Sequence, residues 1–220
     1  MKPSVFIQSD CGYASTTFAK FAGMIETLAP HTDVVETNLS FEKGDSLPMS
    51  AYLYTLVPFW RDGTIFVSLM NDERKVAIQL ENNSILLGSD DGFSTMRIEH
   101  FGFKGARLIS TKQFQDDEFI LARASASLVN GMPFEELGEE LTLEELNLFH
   151  LPPVRIEEGL AEGVIAMLLK SFGNLTFNIA TDDFERTNIK HGDTVKVTIS
   201  KEGNTVYEDI MTYQPSFGYV

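Results

Sequence analysis

The chain has 220 residues, 43% of them hydrophobic and 22% charged, with 16 Gly and 8 Pro. That length buries a self-sufficient apolar core, and that composition excludes collagenous, mucin-like and disordered classes. Lys and Arg total 17 against 32 Asp and Glu, a net charge of −15; such a surface repels phosphate backbones and anionic lipid heads, so neither nucleic acid nor a membrane is an expected partner. The single cysteine, Cys11, has no partner for an internal disulfide, and no Cys/His cluster has zinc-site spacing, so no metal is expected. Three apolar residues, Val5-Phe6-Ile7, are too few for the core of an export signal, and no apolar run approaches the ~20 residues that span a bilayer. These features together give the expectation of a cytoplasmic protein.

In chain order, Val5-Phe6-Ile7 reads as a buried strand, residues 10 to 15 as a polar turn, and Phe18, Phe21, Ala22, Ile25 and Leu28 as the apolar stripe of a helix ending before Pro30. Val34-Val35 begins a second strand. Ser46 and Pro48 start a helix through Met49 to Val57, and Gly63-Thr64 leads into a strand from Ile65 to Met70. Lys75 to Leu80 and Ser84 to Leu87, joined by Glu81-Asn82-Asn83, form a hairpin followed by the turn Asp90-Asp91-Gly92. Phe119 to Val129 is a helix stopped by Asn130-Gly131. The acidic, Leu-rich stretch from Glu135 to Glu158, with a capping box at Thr142 and Glu145, reads as a solvated helix face. Leu151-Pro152-Pro153 then forces an extended chain. Beyond it come Val164 to Leu169, Asn174 to Ile179, Val195 to Ile199, and Thr205 to Ile210 after the Glu202-Gly203-Asn204 turn, all strands. The expected fold class is α/β: an N-terminal α/β domain, 1–153, with a mixed, mostly parallel sheet, and a smaller antiparallel, β-barrel-like domain, 154–220.

Open α/β sheets bind ligands beyond the carboxyl ends of their strands, which puts Asp10 first among the candidates. A carboxylate there fits a ribose diol and equally fits a turn or helix cap. Asp10-Cys11-Gly12-Tyr13 is no phosphate-binding loop. Asp90 lies in a second acidic turn with the same two readings, ligand contact or β-turn. Asn71-Asp72-Glu73-Arg74 suits a water or anion site, or a hairpin with a surface ion pair. His31, His100, His150 and His191 neighbour no nucleophile motif and read as surface or packing residues. Trp60 stacks on a base or closes the core. The amide of Asn174, in Phe172-Gly173-Asn174, both donates and accepts and so suits a nucleobase edge.

In order and spacing these segments resemble the S-adenosylmethionine hydroxide adenosyltransferase family, the relatives of the adenosyl-fluoride and adenosyl-chloride synthases. Ser9-Asp10-Cys11-Gly12 with Gly23 is similar to the family's opening Thr-Asp-Phe-Gly segment. Glu36-Thr37-Asn38-Leu39 takes the place of its Asp-Ile-Thr-His. Gly63-Thr64-Ile65-Phe66-Val67 resembles Gly-Thr-Val-His-Val, Ser89-Asp90-Asp91-Gly92 resembles Pro-Asp-Asn-Gly, and Phe172-Gly173-Asn174-Leu175 through Ile179 resembles Phe-Gly-Asn-Leu-x-Thr-Asn-Ile. The resemblance implies an adenosyl ligand with S-adenosylmethionine as possible substrate and no separate cofactor. It also implies a homotrimer with sites between subunits, Asp10 on the ribose, Asp90 also on the ligand, and Phe172 and Asn174 on the base. Arg74 with Asp72 falls near the reacting centre. The departures are specific. The family's Asp before the reacting Arg falls on Asn71, its His segment falls on Gln115-Asp116-Asp117-Glu118-Phe119, and its methionine-end Asp falls on Lys170, a cation that disfavours a sulfonium. Asp116 or Asp117 is the candidate to replace the missing His. The resemblance places the family's last β segment beyond Tyr219-Val220, as expected either of a naturally shorter protein or of an incomplete chain. Two readings follow: an enzyme hydrolysing S-adenosylmethionine to adenosine and methionine, or a catalytically degenerate adenosine-binding or structural oligomer.

Overall fold

The computed structural model describes residues 3–11, 16–38, 42–70, 74–169 and 173–214. The chain divides into two compact units, the first Met1–His150 with Ala166–Thr176 and the second Leu151–Ile165 with Phe177–Val220.

The first unit is built on seven strands: β1 (Val5–Ser9), β2 (Val34–Asn38), β3 (Ile65–Leu69), β4 (Lys75–Leu80), β5 (Ile85–Ser89), β6 (Phe103–Ile109) and β7 (Gly138–Leu141). They form one sheet in the order β2-β1-β3-β5-β4-β6-β7. β2, β1, β3 and β5 pair in parallel, and β4 is antiparallel to β5. β6 is antiparallel to β4 and β7 to β6, so β6 runs with the parallel group and only β4 and β7 oppose it. The expected mixed, mostly parallel sheet is present.

Strand periodicity sorts the apolar side chains onto two faces. Val5, Ile7, Ile65, Val67, Ala77, Ile85 and Leu87 pack with Phe21 and Ile25 of α1 (Thr17–Leu28) and with Ile120, Leu121 and Ala124 of α5 (Ile120–Val129). Phe6, Phe66, Val76, Ile78, Leu80 and Leu86 pack on the other side, with Leu53 of α2 (Ser46–Leu56) and Ile98 of α3 (Thr95–Phe101). Between α3 and α5 lies a single turn, α4 (Thr111–Phe114). α1 stops before Pro30, and α2 passes into a 3₁₀ turn, Val57–Phe59, carrying Pro58, as the sequence leads one to expect. Trp60 stacks edge-on with Phe6, ring centroids 5.3 Å apart, so of its two readings it takes the core one.

The segment after α5 departs from the expected helix face. It forms a 3₁₀ turn at Phe134–Leu137, the strand β7, and a second 3₁₀ turn at Leu143–Glu145. The capping box of Thr142 and Glu145 is there, but it opens one turn only. The competing interaction is tertiary: β7 pairs along the edge of β6 and buries Leu137, Leu141 and Leu146. At Gly138 a Cβ would stand 1.8 Å from the Leu108 carbonyl oxygen, so only glycine allows this approach. α3 and β6 carry too weak a period to be read from sequence; β6 alternates Lys104, Gly105 and Arg107 with its apolar positions.

Beyond this sheet the antiparallel character expected of the C-terminal part is present in the second unit, in β8 (Arg155–Glu157) with β9 (Leu160–Glu162) and β12 (Thr194–Lys201) with β13 (Asn204–Thr212); β10 (Ile165–Leu169) and β11 (Asn174–Phe177), most of whose residues belong to the first unit, form a further two-stranded sheet. The second unit also contains α6 (Thr181–Glu185). Its internal ties are largely hydrogen bonds, such as Gly159 N–H to the Thr187 carbonyl at 2.8 Å and Val164 N–H to Asn178 Oδ1 at 2.8 Å. Among the described residues it buries no apolar side chain, and Val206 and Ile210 on β13 are 61% and 69% exposed.

Gly88 on β5 lies under the ring of the buried Phe93, and a Cβ there would be 2.8 Å from the ring. Gly88→Ala is expected to destabilise the protein by about 1–3 kcal/mol through overpacking, measured by urea unfolding; an unchanged midpoint would refute this account of the α3 side of the core.

Candidate functional site

Because both faces of the central strands are covered, polar groups gather at their carboxyl ends. Alternation continues past the last paired residues and divides these groups between the two sides of the sheet. Cys11, Lys75 and Ser89 are in phase with Ile7, Ala77 and Leu87 and fall on the α1 and α5 side; Asp10, Arg74 and Asp90 fall on the α2 and α3 side.

On the first side is a cavity of about 190 Å3 between the N-terminal turns of α1 and α5, lined by residues that include Cys11, Lys20, Met70, Lys75, Ser89 and Phe119. Lys75 Nζ donates to Ser89 Oγ at 2.8 Å. Asp117 also lines the cavity, and its carboxylate forms a two-pronged pair with Arg123, 2.7 Å at each prong, while accepting from the Phe119 N–H at 2.8 Å. Hydrogen bonding from Arg123, more than any other influence, holds the Asp117 carboxyl below its usual range. The volume is below the ~300–1,000 Å3 typical of sites that enclose a whole small ligand.

On the second side, Asp10 is half-buried directly after β1, and its Oδ2 accepts from the Gly44 N–H at 2.9 Å, ahead of α2. It does not cap α1, whose N-cap is Thr16. Cys11 Sγ lies 3.8 Å from Oδ1, a weak contact and the one this oxygen has among the described residues. Asp90 is 3% exposed, and both its carboxylate oxygens are engaged: Oδ2 accepts from Arg74 Nε at 2.8 Å and Nη2 at 2.6 Å, and Oδ1 from Asn147 N–H at 2.9 Å. Asn147 Nδ2 donates to the Asp90 carbonyl at 2.9 Å, and Arg74 Nη2 donates also to the Glu145 carbonyl. Glu145 in turn accepts from the Thr142 N–H at 2.8 Å, which holds its carboxyl below the usual range.

Of the residues singled out from the sequence, Asp90 and Arg74 are therefore brought together, as partners of one another. Asn174 is exposed at the start of β11 and does not line the cavity. Asp72 and Phe172 lie outside the described residues. His31, His150 and His191 are exposed, and His100 stacks edge-on against Tyr54 and Phe101, in keeping with surface and packing roles. Asn147 and Gly44, which fix the two carboxylates, give no sequence signal because they are 57 and 34 residues from them. Arg123 lies only six residues after Asp117, at the start of α5, so this pair is local in the chain. Among the described residues no three His, Cys, Asp or Glu side chains are grouped as metal ligands, and no helix is long and apolar enough to cross a membrane.

This α/β sheet, with its polar groups collected at the carboxyl edge, has the architecture of a small-molecule-binding protein. The chain belongs to the S-adenosylmethionine hydroxide adenosyltransferase family: the model of the family's N-terminal domain, described as "SAM hydroxide adenosyltransferase N-terminal domain", matches residues 5–138. It is similar to the fluorinase of Actinoplanes sp. (strain N902-109), 25% identical over 224 residues that cover 85% of this chain and 75% of that protein. The fluorinase of Actinopolyspora mzabensis is 22% identical, covering 90% of this chain and 78% of its own length. Among solved structures, an uncharacterized conserved protein from Thermotoga maritima superposes with a TM-score of 0.83 at 20% identity, covering 97% of this chain and 84% of that one.

The Asp117 carboxyl has a folded-state pKa below its ordinary value. Its contribution to stability is therefore present above about pH 4 and disappears as the pH falls through the depressed value. Asp117→Asn is expected to lower Tm at neutral pH, with the difference from wild type shrinking on acidification. A difference independent of pH would show that Arg123 does not depend on the Asp117 charge.

Proposed function

We propose that the protein binds an adenosyl compound at the carboxyl edge of its sheet and hydrolyses S-adenosylmethionine to adenosine and methionine. In that reaction hydroxide attacks the ribose C5′ in line with the sulfonium, the C5′–S bond breaks, and its electron pair stays on sulfur. Catalysis then rests on holding water and substrate in near-attack geometry. Asp10 takes the ribose diol, Phe172 and Asn174 the base, and Arg74 with Asp72 stands near the reacting centre, where Asp90 holds the guanidinium in place. The observation that carries the reading is Asp10 at the end of β1, whose Oδ2 is fixed by the Gly44 N–H and whose Oδ1 has, among the described residues, only the weak contact with Cys11 Sγ, in a chain of this family.

A homotrimer with sites between subunits is part of the same proposal. Its support is the second unit, which has no buried apolar side chain of its own among the described residues while Phe177, Val206, Ile210 and Met211 are exposed. A neighbouring subunit that covers them supplies the burial that a unit of this size needs.

The second reading, an adenosine-binding or structural oligomer without turnover, is favoured by one feature. Asp117, a candidate for the missing His, is committed to Arg123, and an ionised acceptor with both oxygens in use is a poor general base.

Calorimetric titration with adenosine and with S-adenosylmethionine, followed by assay for released adenosine and methionine, separates the readings. Binding that weakens roughly 10- to 100-fold in Asp10→Ala, as loss of hydrogen bonds to a charged group requires, supports the site; products lost in the same variant support the hydrolase. Binding without products at high enzyme concentration leaves the second reading. No binding of either ligand refutes both adenosyl readings. Light scattering that finds a monomer refutes the trimer.

A further inference from the structure

The layer between the sheet and α2 and α3 contains a buried charge with no hydrogen-bond partner among the described residues. Arg97, on α3, is 0% exposed, and among the described residues none of its Nε, Nη1 and Nη2 has a hydrogen-bond partner. Its Cζ lies 5.5 Å from the ring centroids of both Phe66 and Phe101. Aromatic faces attract a cation but accept no ordinary hydrogen bond from its N–H groups. A guanidinium has five such donors and does not give up its proton in proteins.

Among the described residues Arg97 forms no ion pair with a carboxylate. β1, β3, β4, β5 and α2 contain neither Asp nor Glu, and Glu99, the single acid of α3, is exposed. A chain with 32 acidic residues thus places none of them in these strands. Gln8 is in phase with Phe6 on the same sheet face, and its Oε1 also lacks a partner, while its Nε2 donates to Ser68 Oγ. Burial of an unpaired ion costs far more than burial of a neutral polar group, and a water molecule meets the hydrogen bonds but not the charge.

We propose that a small monovalent inorganic anion, of the size of chloride, is bound inside this layer by the Arg97 guanidinium. The anion is a structural ligand. It neutralises the buried cation, accepts its otherwise orphaned donors, and holds α3 on Phe66 and on the sheet. Arg97 is not among the residues that line the carboxyl-edge cavity, although Ser68, the partner of Gln8, is; the inference does not depend on the adenosyl reading.

Thermal unfolding in sodium chloride and in sodium gluconate, at matched ionic strength, tests it. Wild-type protein is expected to melt about 5 °C higher in chloride, as a ligand bound only by the folded state requires. Arg97→Met should lose this dependence and, in gluconate, be at least as stable as wild type, because an uncompensated buried charge has been replaced by an apolar chain of similar length. Crystals of the wild-type protein grown in bromide should show an anomalous peak within hydrogen-bonding reach of the guanidinium. The proposal is overturned by equal melting in the two salts, by an equal chloride effect in Arg97→Met, or by a bromide map with no peak and a water bridging Arg97 and Gln8. Should Arg97→Met fail to fold, the salt comparison and the bromide map on wild-type protein decide the matter.

Discussion

Burial of the central sheet on both faces is the constraint from which the other features follow. β1, β3 and β5 alternate their apolar side chains between two packed layers, so no polar side chain in mid-strand reaches solvent. Chemistry is left to the strand ends, where the chain turns out of the sheet and backbone N–H groups and carboxylates come within reach of a ligand. Both the cavity beside α1 and α5 and the Asp10 carboxylate lie at this edge.

Electrostatics at the edge is largely internal. Asp90 is almost fully buried but spends its charge on Arg74 and on the Asn147 N–H, binding the start of β4, the end of β5 and the segment after β7 into one cluster. Asp117 does the same for the entry to α5 through Arg123. A carboxylate with both oxygens satisfied positions its neighbours. By this criterion Asp10, with one oxygen fixed by a backbone donor, differs from Asp90 and Asp117. Arg97 is the counterexample on the cationic side, a buried charge whose guanidinium nitrogens have no hydrogen-bond partner among the described residues.

The two units differ in kind. The first has a core on each face of its sheet, whereas the second is held by hairpin ladders and loop hydrogen bonds with no buried apolar residue among those described. Isolated two-stranded hairpins are marginal in water, and the apolar side chains along β13 are the surface on which further burial would be built.

The sequence by itself determined the strands and helices with strong periods, β1, α1, α2, β3, the β4–β5 hairpin and α5, because each alternation or helical stripe is a local property of contiguous residues. It also determined the family, through segments that keep their order and spacing. It located the strand ends, yet the residues chosen there, Asp10, Arg74 and Asp90, are sequence neighbours of the cavity-lining Cys11, Lys75 and Ser89. Which of two adjacent residues faces which side depends on the phase of the pleat, and that phase is fixed only when the sheet acquires its two layers. Tertiary structure alone decided that the acidic, Leu-rich stretch pairs as β7 instead of coiling into a helix, since an unpaired β6 edge and a tolerant Gly138 lay waiting for it. It alone decided that Asp90 answers to Asn147 and Asp10 to Gly44, because contacts between residues far apart in the chain leave no trace in local pattern. They come from the closing of the sheet, which brings distant donors to carboxylates that must be satisfied once water is excluded.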